Sequence, residues 1–234
     1  MLKILGVIPA RGGSKGVPRK NIKLLGNMPL IGFTIKEALS SNLSRVVLST
    51  DDDEISNVAE SLGLESFFMR PESLATDNAS SLDVAKHALN KCEEIFNESY
   101  DGLMLLQPTT PFRRRIDINN CLDLFEQNNF DSVISVVDVD AYHPARMKYI
   151  ENGLLIDPPF GERKENQNRQ ELGKMFIRNG AIYLTKRENI LNGTFKGKRS
   201  GAYIMEKSLS INIDSIHDFE LAEFYLSRHE DTSS

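Results

Sequence analysis

The chain has 234 residues, 40% of them apolar and 26% charged, with 15 glycines and nine prolines in no periodic arrangement, which excludes disordered and collagen-like polymers. Its 28 basic and 33 acidic residues leave a net charge of -5, so no general cationic field exists for wrapping nucleic acid, and an anion site must be local. The longest apolar run, residues 4–10, contains Gly6 and Pro9 and is far shorter than the roughly 20 residues that cross a bilayer, so no membrane span is expected.

In chain order, the apolar run Ile4–Pro9 predicts a buried strand. After Pro29, the spacing of Leu30, Ile31, Ile35, Ala38 and Leu39 predicts a helix, and Arg45–Ser49 predicts a second strand. A helix follows over residues 52–62, then a short strand over 66–69, a helix opened by Ser80 and Ser81, and a strand over 103–106. A helix over 116–125 and a strand over 132–137 continue the alternation. Residues 140–174 break it with polar, Pro-containing sequence and two short candidate strands, 147–150 and 154–156. Strands over 175–184 and 210–213 and a helix over 217–227 complete the pattern, with a frayed tail after it. Such alternation implies one α/β domain over residues 1–234: a three-layer α/β/α, Rossmann-like arrangement whose mainly parallel sheet binds ligands at the carboxyl ends of its strands. Cys92 and Cys121 lie in amphipathic stretches without a CxxC pair and are expected to pack as small apolar groups. The N-terminal residues have neither a long apolar core nor a small-residue cleavage site, so a cytoplasmic location is expected.

The loop after the first strand carries the chemistry. In Ala10-Arg11-Gly12-Gly13-Ser14-Lys15-Gly16, continued by Pro18-Arg19-Lys20-Asn21, three glycines let the backbone turn its amides inward as an anion nest. Arg11, Lys15, Arg19 and Lys20 place four cations within ten residues, and in an acidic chain that concentration asks for an anionic ligand. The spacing is neither the GxxxxGK[ST] phosphate loop nor GxGxxG.

Residues 8–23, IPARGGSKGVPRKNIK, resemble the N-terminal signature of the acylneuraminate (CMP-sialic acid or CMP-legionaminic acid) cytidylyltransferases. The resemblance continues in order through Leu48-Ser49-Thr50-Asp51, Arg70-Pro71-Glu72, the segment 75–81, Gln107-Pro108-Thr109-Thr110-Pro111-Phe112-Arg113, Arg178-Asn179-Gly180-Ala181-Ile182-Tyr183 and Ser210-Ile211-Asn212-Ile213-Asp214. It implies a nucleotidyltransferase fold with a dimerisation arm at about residues 140–174. The implied reaction is transfer of CMP from CTP to a nonulosonic acid with release of pyrophosphate. It further implies magnesium or another divalent cation, and a homodimer.

Carried over residue by residue, the resemblance implies nucleotide binding by Ala10, Arg11, Gly12, Gly13, Ser14, Lys15, Lys20 and Asn21, with Arg11, Lys15 and Lys20 also stabilising the departing pyrophosphate. Arg70, Ala79 and Ser81 match positions that read cytosine, although Ser80 and Ser81 also fit helix caps. Gln107, Arg169, Asn179 and Tyr183 match positions on the acceptor sugar; Asn179-Gly180 also fits a turn between strands. Asp214 is the implied catalytic and metal-binding carboxylate, with a helix cap as its structural alternative. Where relatives carry a second carboxylate, this chain has Asn212, a neutral oxygen ligand at best. Of Arg113, Arg114 and Arg115, at least one is expected at the ordinary surface. Two other functions fit parts of the pattern: activation of ketodeoxyoctonate, and a sensor that binds a nucleotide sugar without turnover.

Overall fold

The computed structural model describes residues 2–161 and 168–231. The strands are β1 (Ile4–Pro9), β2 (Leu24–Leu25), β3 (Met28–Pro29), β4 (Arg45–Ser49), β5 (Gly102–Leu105), β6 (Ser132–Asp138), β7 (Tyr149–Glu151), β8 (Leu154–Ile156), β9 (Phe176–Lys186) and β10 (Ser200–Ile204). The α-helices are α1 (Leu30–Leu39), α2 (Asp53–Ser61), α3 (Ser81–Phe96), α4 (Arg115–Gln127), α5 (Arg187–Leu191) and α6 (Ile216–Asp231).

Six strands form one sheet in the order β10-β6-β9-β5-β1-β4. β1 runs parallel to β4 and β5, and β10 parallel to β6, while β9 is antiparallel to both of its neighbours. Strand side chains alternate between two apolar layers because successive residues point to opposite faces. Ile4, Ile8, Leu48, Met104, Ile182 and Leu184 pack with residues of α1, α2, α4 and α6. Leu5, Val7, Val47, Leu103 and Leu105 pack with α3 and Ile190 of α5. The result is the expected three-layer α/β/α arrangement. Both cysteines are buried thiols, and burial pushes Cys92 up to about 12.

Local chemistry fixes the helix starts. The Asp52 carboxylate accepts from the Ile55 amide (3.0 Å) to cap α2, and the Ser80 hydroxyl accepts from the Asp83 amide (3.1 Å) to cap α3.

Four local expectations are corrected. Residues 66–69 form no strand; Met69 makes a single bridge to Thr50. Residues 210–213 run irregularly, tied by the Ile213 amide to the Thr109 carbonyl (2.8 Å). The edge strand is β10 instead, whose Ser-Gly-Ala-Tyr-Ile alternates weakly and whose Gly201 lies against the Phe130 ring. Asn179-Gly180 is not a turn between strands: both residues lie inside β9, where Gly180 has φ 79° and the β6–β9 register shifts between Ile134 and Val136. The helix at the C-terminus runs to Asp231, past the predicted fray, and residues 232–234 lie outside the described residues.

In the 140–174 segment, β7 and β8 pair as a hairpin. Its two-residue turn, Asn152-Gly153, has φ of 50° and 82°, the left-handed pair that a tight hairpin requires.

Candidate active site

A cleft of about 520 Å³ opens at the carboxyl ends of β1 and β5. The loop after β1 contributes Arg11, Ser14, Lys15, Lys20 and Asn21 to it; the segment before α3 contributes Arg70, Asp77, Ala79 and Ser81. Gln107 enters just beyond the end of β5, and Asn212 and Asp214 close the far wall. Residues separated by up to 203 positions in the chain therefore share one cavity.

Hydrogen bonds hold the loop against the end of β4. The Ala10 amide donates to the Ser49 carbonyl (3.0 Å), and the Gly12 amide to Asp51 Oδ1 (3.2 Å). The buried Asn21 donates from Nδ2 to the Arg11 carbonyl (3.0 Å), so it fixes the backbone of a cleft cation from behind. Gly12 and Gly16 are required for a reason other than the expected one, whereas a Cβ on Gly13 would meet nothing within 4 Å. None of Gly12, Gly13 and Gly16 has a positive φ; a Cβ on Gly12 would strike the Asp52 carboxylate, and one on Gly16 the Asp214 carbonyl oxygen. The left-handed residue is Arg19, at φ 55°.

The four predicted cations separate into distinct environments. Arg19 faces away from the cleft and pairs with Asp52 and Glu54 at the start of α2, holding the Asp52 carboxyl below the usual range. Arg11 and Lys15 both meet Asp77, with Arg11 Nη2 at 2.8 Å from Oδ1. Lys15 and then Arg11 lower the Asp77 pKa, so that carboxylate stays ionised. Lys20 is no surface cation: its side chain is 12% exposed, and its ammonium donates to the Ile213 carbonyl at 2.6 Å with Asp214 Oδ1 at 3.5 Å.

Asp214 does not cap α6. Ser215 and Asp218 bond reciprocally there, and Asp218 also accepts from the Asp214 amide (3.1 Å). The Asp214 carboxylate remains exposed and accepts from Asn212 Nδ2 at 2.6 Å. The two are neighbours on an irregular segment rather than on one face of a strand. Among the described residues, no group of three or more His, Cys, Asp or Glu side chains could hold a metal ion.

Arg70 lies buried on the opposite wall and donates to Asp51 Oδ1 (3.2 Å), while its buried Nε has no hydrogen-bond partner. Burial is the main cause of its lowered pKa. With Ser80 occupied as the cap of α3, Ser81 is left exposed at the cleft.

The acceptor-side residues divide. Gln107 reaches the cleft, but Asn179 is 5% exposed and spends its side chain inside the protein. Its Oδ1 accepts from Ser135 Oγ (2.6 Å) and its Nδ2 donates to Ser210 Oγ (2.9 Å). Tyr183 packs in the layer of α3 and α5, its ring 5.6 Å from Phe195, and does not line the cleft. The Arg169 side chain lies outside the described residues. The arginine cluster is split as well: Arg113 is buried, Arg114 pairs with Asp117 at the start of α4, and Arg115 is exposed.

Residues 5–223 match the model of a protein family described as Cytidylyltransferase. The chain belongs to that family. Full-length similarity supports the membership: Post-translational flagellin modification protein B of Campylobacter coli is 35% identical over 228 residues, covering 97% of this chain and 96% of that protein. CMP-N,N'-diacetyllegionaminic acid synthase of Campylobacter jejuni is also 35% identical, over 97% of this chain and 96% of its own length. An N-acylneuraminate cytidylyltransferase of Escherichia coli is 37% identical over 94% of this chain, which spans 51% of that longer protein. Among solved structures, a CMP:2-keto-3-deoxy-manno-octonic acid synthetase complexed with CTP superposes with a TM-score of 0.72 at 16% identity, covering 97% of this chain and 99% of the other. At that identity, the shared property is the fold.

The walls of the cleft are also tied by two carboxylates that sequence reasoning did not single out. Asp51 joins the Gly12 amide to Arg70, and Asp77 joins Arg11 to Lys15. Both stood inside segments quoted for their resemblance, but a carboxylate among expected anion-binding residues gives no signal until its cationic partners are located.

Proposed function

We propose that the protein transfers CMP from CTP to the anomeric hydroxyl of a nonulosonic acid such as N-acetylneuraminate or legionaminate, releasing pyrophosphate. The observation that carries the reading is the convergence of Arg11, Lys15 and Lys20 with Gln107 and Asp214 on one cleft at the strand ends, in a chain matching legionaminate- and neuraminate-named relatives along almost its whole length.

In the reaction, the acceptor hydroxyl oxygen bonds to the α-phosphorus, the bond from that phosphorus to the β-phosphate bridging oxygen breaks, and the hydroxyl proton passes to solvent water. Arg11 and Lys15 hold the β- and γ-phosphates and offset the charge that builds on the leaving pyrophosphate. Lys20, braced against the Ile213 carbonyl, presents a fixed charge beside the α-phosphate. Arg70, Ala79 and Ser81 surround the base, and the Gln107 amide orients the acid.

A hard divalent cation fits the end of the cleft. Asp214 offers an exposed carboxylate, and Asn212, whose amide now turns its nitrogen to Asp214, offers an oxygen after a simple flip. Such a donor set is sufficient for magnesium, which retains water and phosphate oxygens. When bound, the ion supplies further neutralisation of the triphosphate.

The reading takes residues 1–234 as one catalytic domain working in the cytoplasm as a homodimer, with residues 140–174 as the arm. Apolar exposure on the hairpin supports the arm: Ile150, Leu154 and Leu155 are 75%, 66% and 73% exposed, more apolar surface than a solitary hairpin leaves in water. The test is incubation with CTP, magnesium and a panel of N-acetylneuraminate, N,N'-diacetyllegionaminate and ketodeoxyoctonate, with pyrophosphate assayed. Release with a nonulosonic acid is expected. Release with ketodeoxyoctonate alone would transfer the protein to the other substrate class, and CTP binding without release would leave a sensor.

A further inference from the structure

Arg113 has almost no contact with water, 1% exposed, and among the described residues no carboxylate lies within ion-pair distance of it, Asp117 and Glu37 acting on it only from farther off. Burying an unpaired charge costs several kcal/mol relative to an apolar side chain of similar volume, so space-filling does not account for it. Its guanidinium is instead spent on backbone. Nη1 donates to the carbonyls of Gln107 (3.3 Å), Thr110 (3.2 Å) and Ala181 (2.9 Å), and Nη2 to Thr34 Oγ1 (2.6 Å). Three segments are joined at one point: α1, the turn that follows β5, and β9.

Two of those segments form the surroundings of one cleft side chain. Gln107 belongs to the turn, and Ala181 directly follows Gly180, the bulged residue of β9. A Cβ on Gly180 would stand 3.0 Å from Gln107 Oε1 and 3.3 Å from Thr110 Oγ1. Thr110 Oγ1 in turn donates to the Asn179 carbonyl (3.0 Å), a second tie between the turn and the bulge. The Gln107 amide therefore leaves a backbone that Arg113 holds and passes beside a strand that Arg113 also holds. The loop after β1, which carries Arg11, Lys15 and Lys20, accepts no bond from Arg113.

We infer that Arg113 is a positioning residue for Gln107, fixing the acceptor side of the cleft and leaving the CTP side untouched. The inference rests on the proposed role of Gln107 toward the acid. A planar fork with five donors can bridge several carbonyls at once, whereas a lysine ammonium reaches fewer in a fixed plane, so Arg113→Lys is expected to recover only part of the function.

The test measures KM for CTP and for whichever acid of the panel is turned over fastest, together with kcat, in Arg113→Met, Arg113→Lys, Thr34→Val and Gln107→Ala. Displacing an orienting group by about 1 Å is enough to cost tenfold or more in its own substrate's parameters. In Arg113→Met the acid KM is therefore expected to rise about tenfold while the CTP KM stays within about twofold, with Arg113→Lys intermediate. Hydrogen exchange supplies a readout free of substrate: peptides covering residues 107–112 should exchange faster in Arg113→Met, and those covering 11–20 should not. If Arg113→Met does not fold, Thr34→Val decides, since it removes one acceptor and retains the charge; a rise in the acid KM alone supports the inference. Equal changes in both KM values, or loss of kcat with both unchanged, would reduce Arg113 to a fold-stabilising residue and overturn the inference. An acid KM raised in Gln107→Ala but unaltered in the folded Arg113 and Thr34 variants would also overturn it while sparing the role of Gln107. An unaltered acid KM in Gln107→Ala would remove that role and the inference with it.

Discussion

Lys20, proposed to stabilise charge on the transferred phosphate, also holds the structure together. As a loop cation it would contribute little to stability, but its ammonium is nearly buried and bonded to the Ile213 carbonyl, tying the loop to the segment that carries Asp214. Lys20→Ala should therefore lower kcat by roughly 100-fold, the magnitude typical of losing one charge-stabilising donor. It should also destabilise the fold by about 1–2 kcal/mol through the lost hydrogen bond, read from the urea midpoint. A variant with unchanged turnover would remove Lys20 from the reaction. Asp77 predicts the opposite direction. Its carboxylate neutralises Arg11 and Lys15 where the triphosphate is proposed to bind, so Asp77→Asn should tighten CTP binding by roughly two- to fivefold, the range of an exposed ion pair, with the gain shrinking at high salt. Calorimetric titration with CTP measures both arms, and weaker binding in the variant would instead make Asp77 part of the ligand site.

At the scale of elements, strands read from apolar runs depend on polar clamps at their ends. β4 is an edge strand, and its first residue, Arg45, donates to Glu98 at 3.0 Å while stacking over the Phe96 ring. Arg45, then Lys3 and Tyr100, pull the Glu98 carboxyl down to about 2 from its ordinary 4.5. Because the folded pKa is depressed, this contribution to stability is complete above 4.5 and is lost as pH falls from there through about 2. Wild type should therefore exceed Glu98→Gln in urea midpoint at neutral pH, and the two curves should converge across that acid window. A difference that persists below it would assign the effect to packing rather than to charge. β9 shows the converse: its pattern predicted a strand, yet its antiparallel direction and its bulge at Gly180 follow from pairing with β5 and β6, whose register partners lie 78–84 and 38–53 residues away in sequence.

For the whole molecule, the proposed homodimer gives the exposed hairpin a testable role. Leu155 is 73% exposed on β8, so replacing it with aspartate removes apolar surface without opening the core. Leu155→Asp should fold with an unchanged melting temperature and sediment as a monomer where wild type sediments as a dimer. Monomeric wild type at enzyme working concentrations, with full activity, would refute the homodimer.

The sequence by itself determined most of the alternation of strands and helices, the exceptions being residues 66–69, 200–204 and 210–213, because apolar periodicity is local and Pro29, Asp52 and Ser80 mark helix starts within one turn. It also pointed to the loop that lines the cleft, since Arg11, Lys15 and Lys20 sit within ten residues on a glycine-rich segment. Only the tertiary structure decided which of the candidate side chains line the cleft. Arg19 turns to α2, Asn179 is consumed by Ser135 and Ser210, and Tyr183 faces the other layer, all through partners tens of residues away. The same holds for Arg113. In sequence it is one of three adjacent arginines; in the fold it is the buried one, because the carbonyls of Gln107 and Thr110 in its own turn, the Ala181 carbonyl of β9 and the Thr34 hydroxyl of α1 converge on its two terminal nitrogens, while its Nε is left without a hydrogen-bond partner.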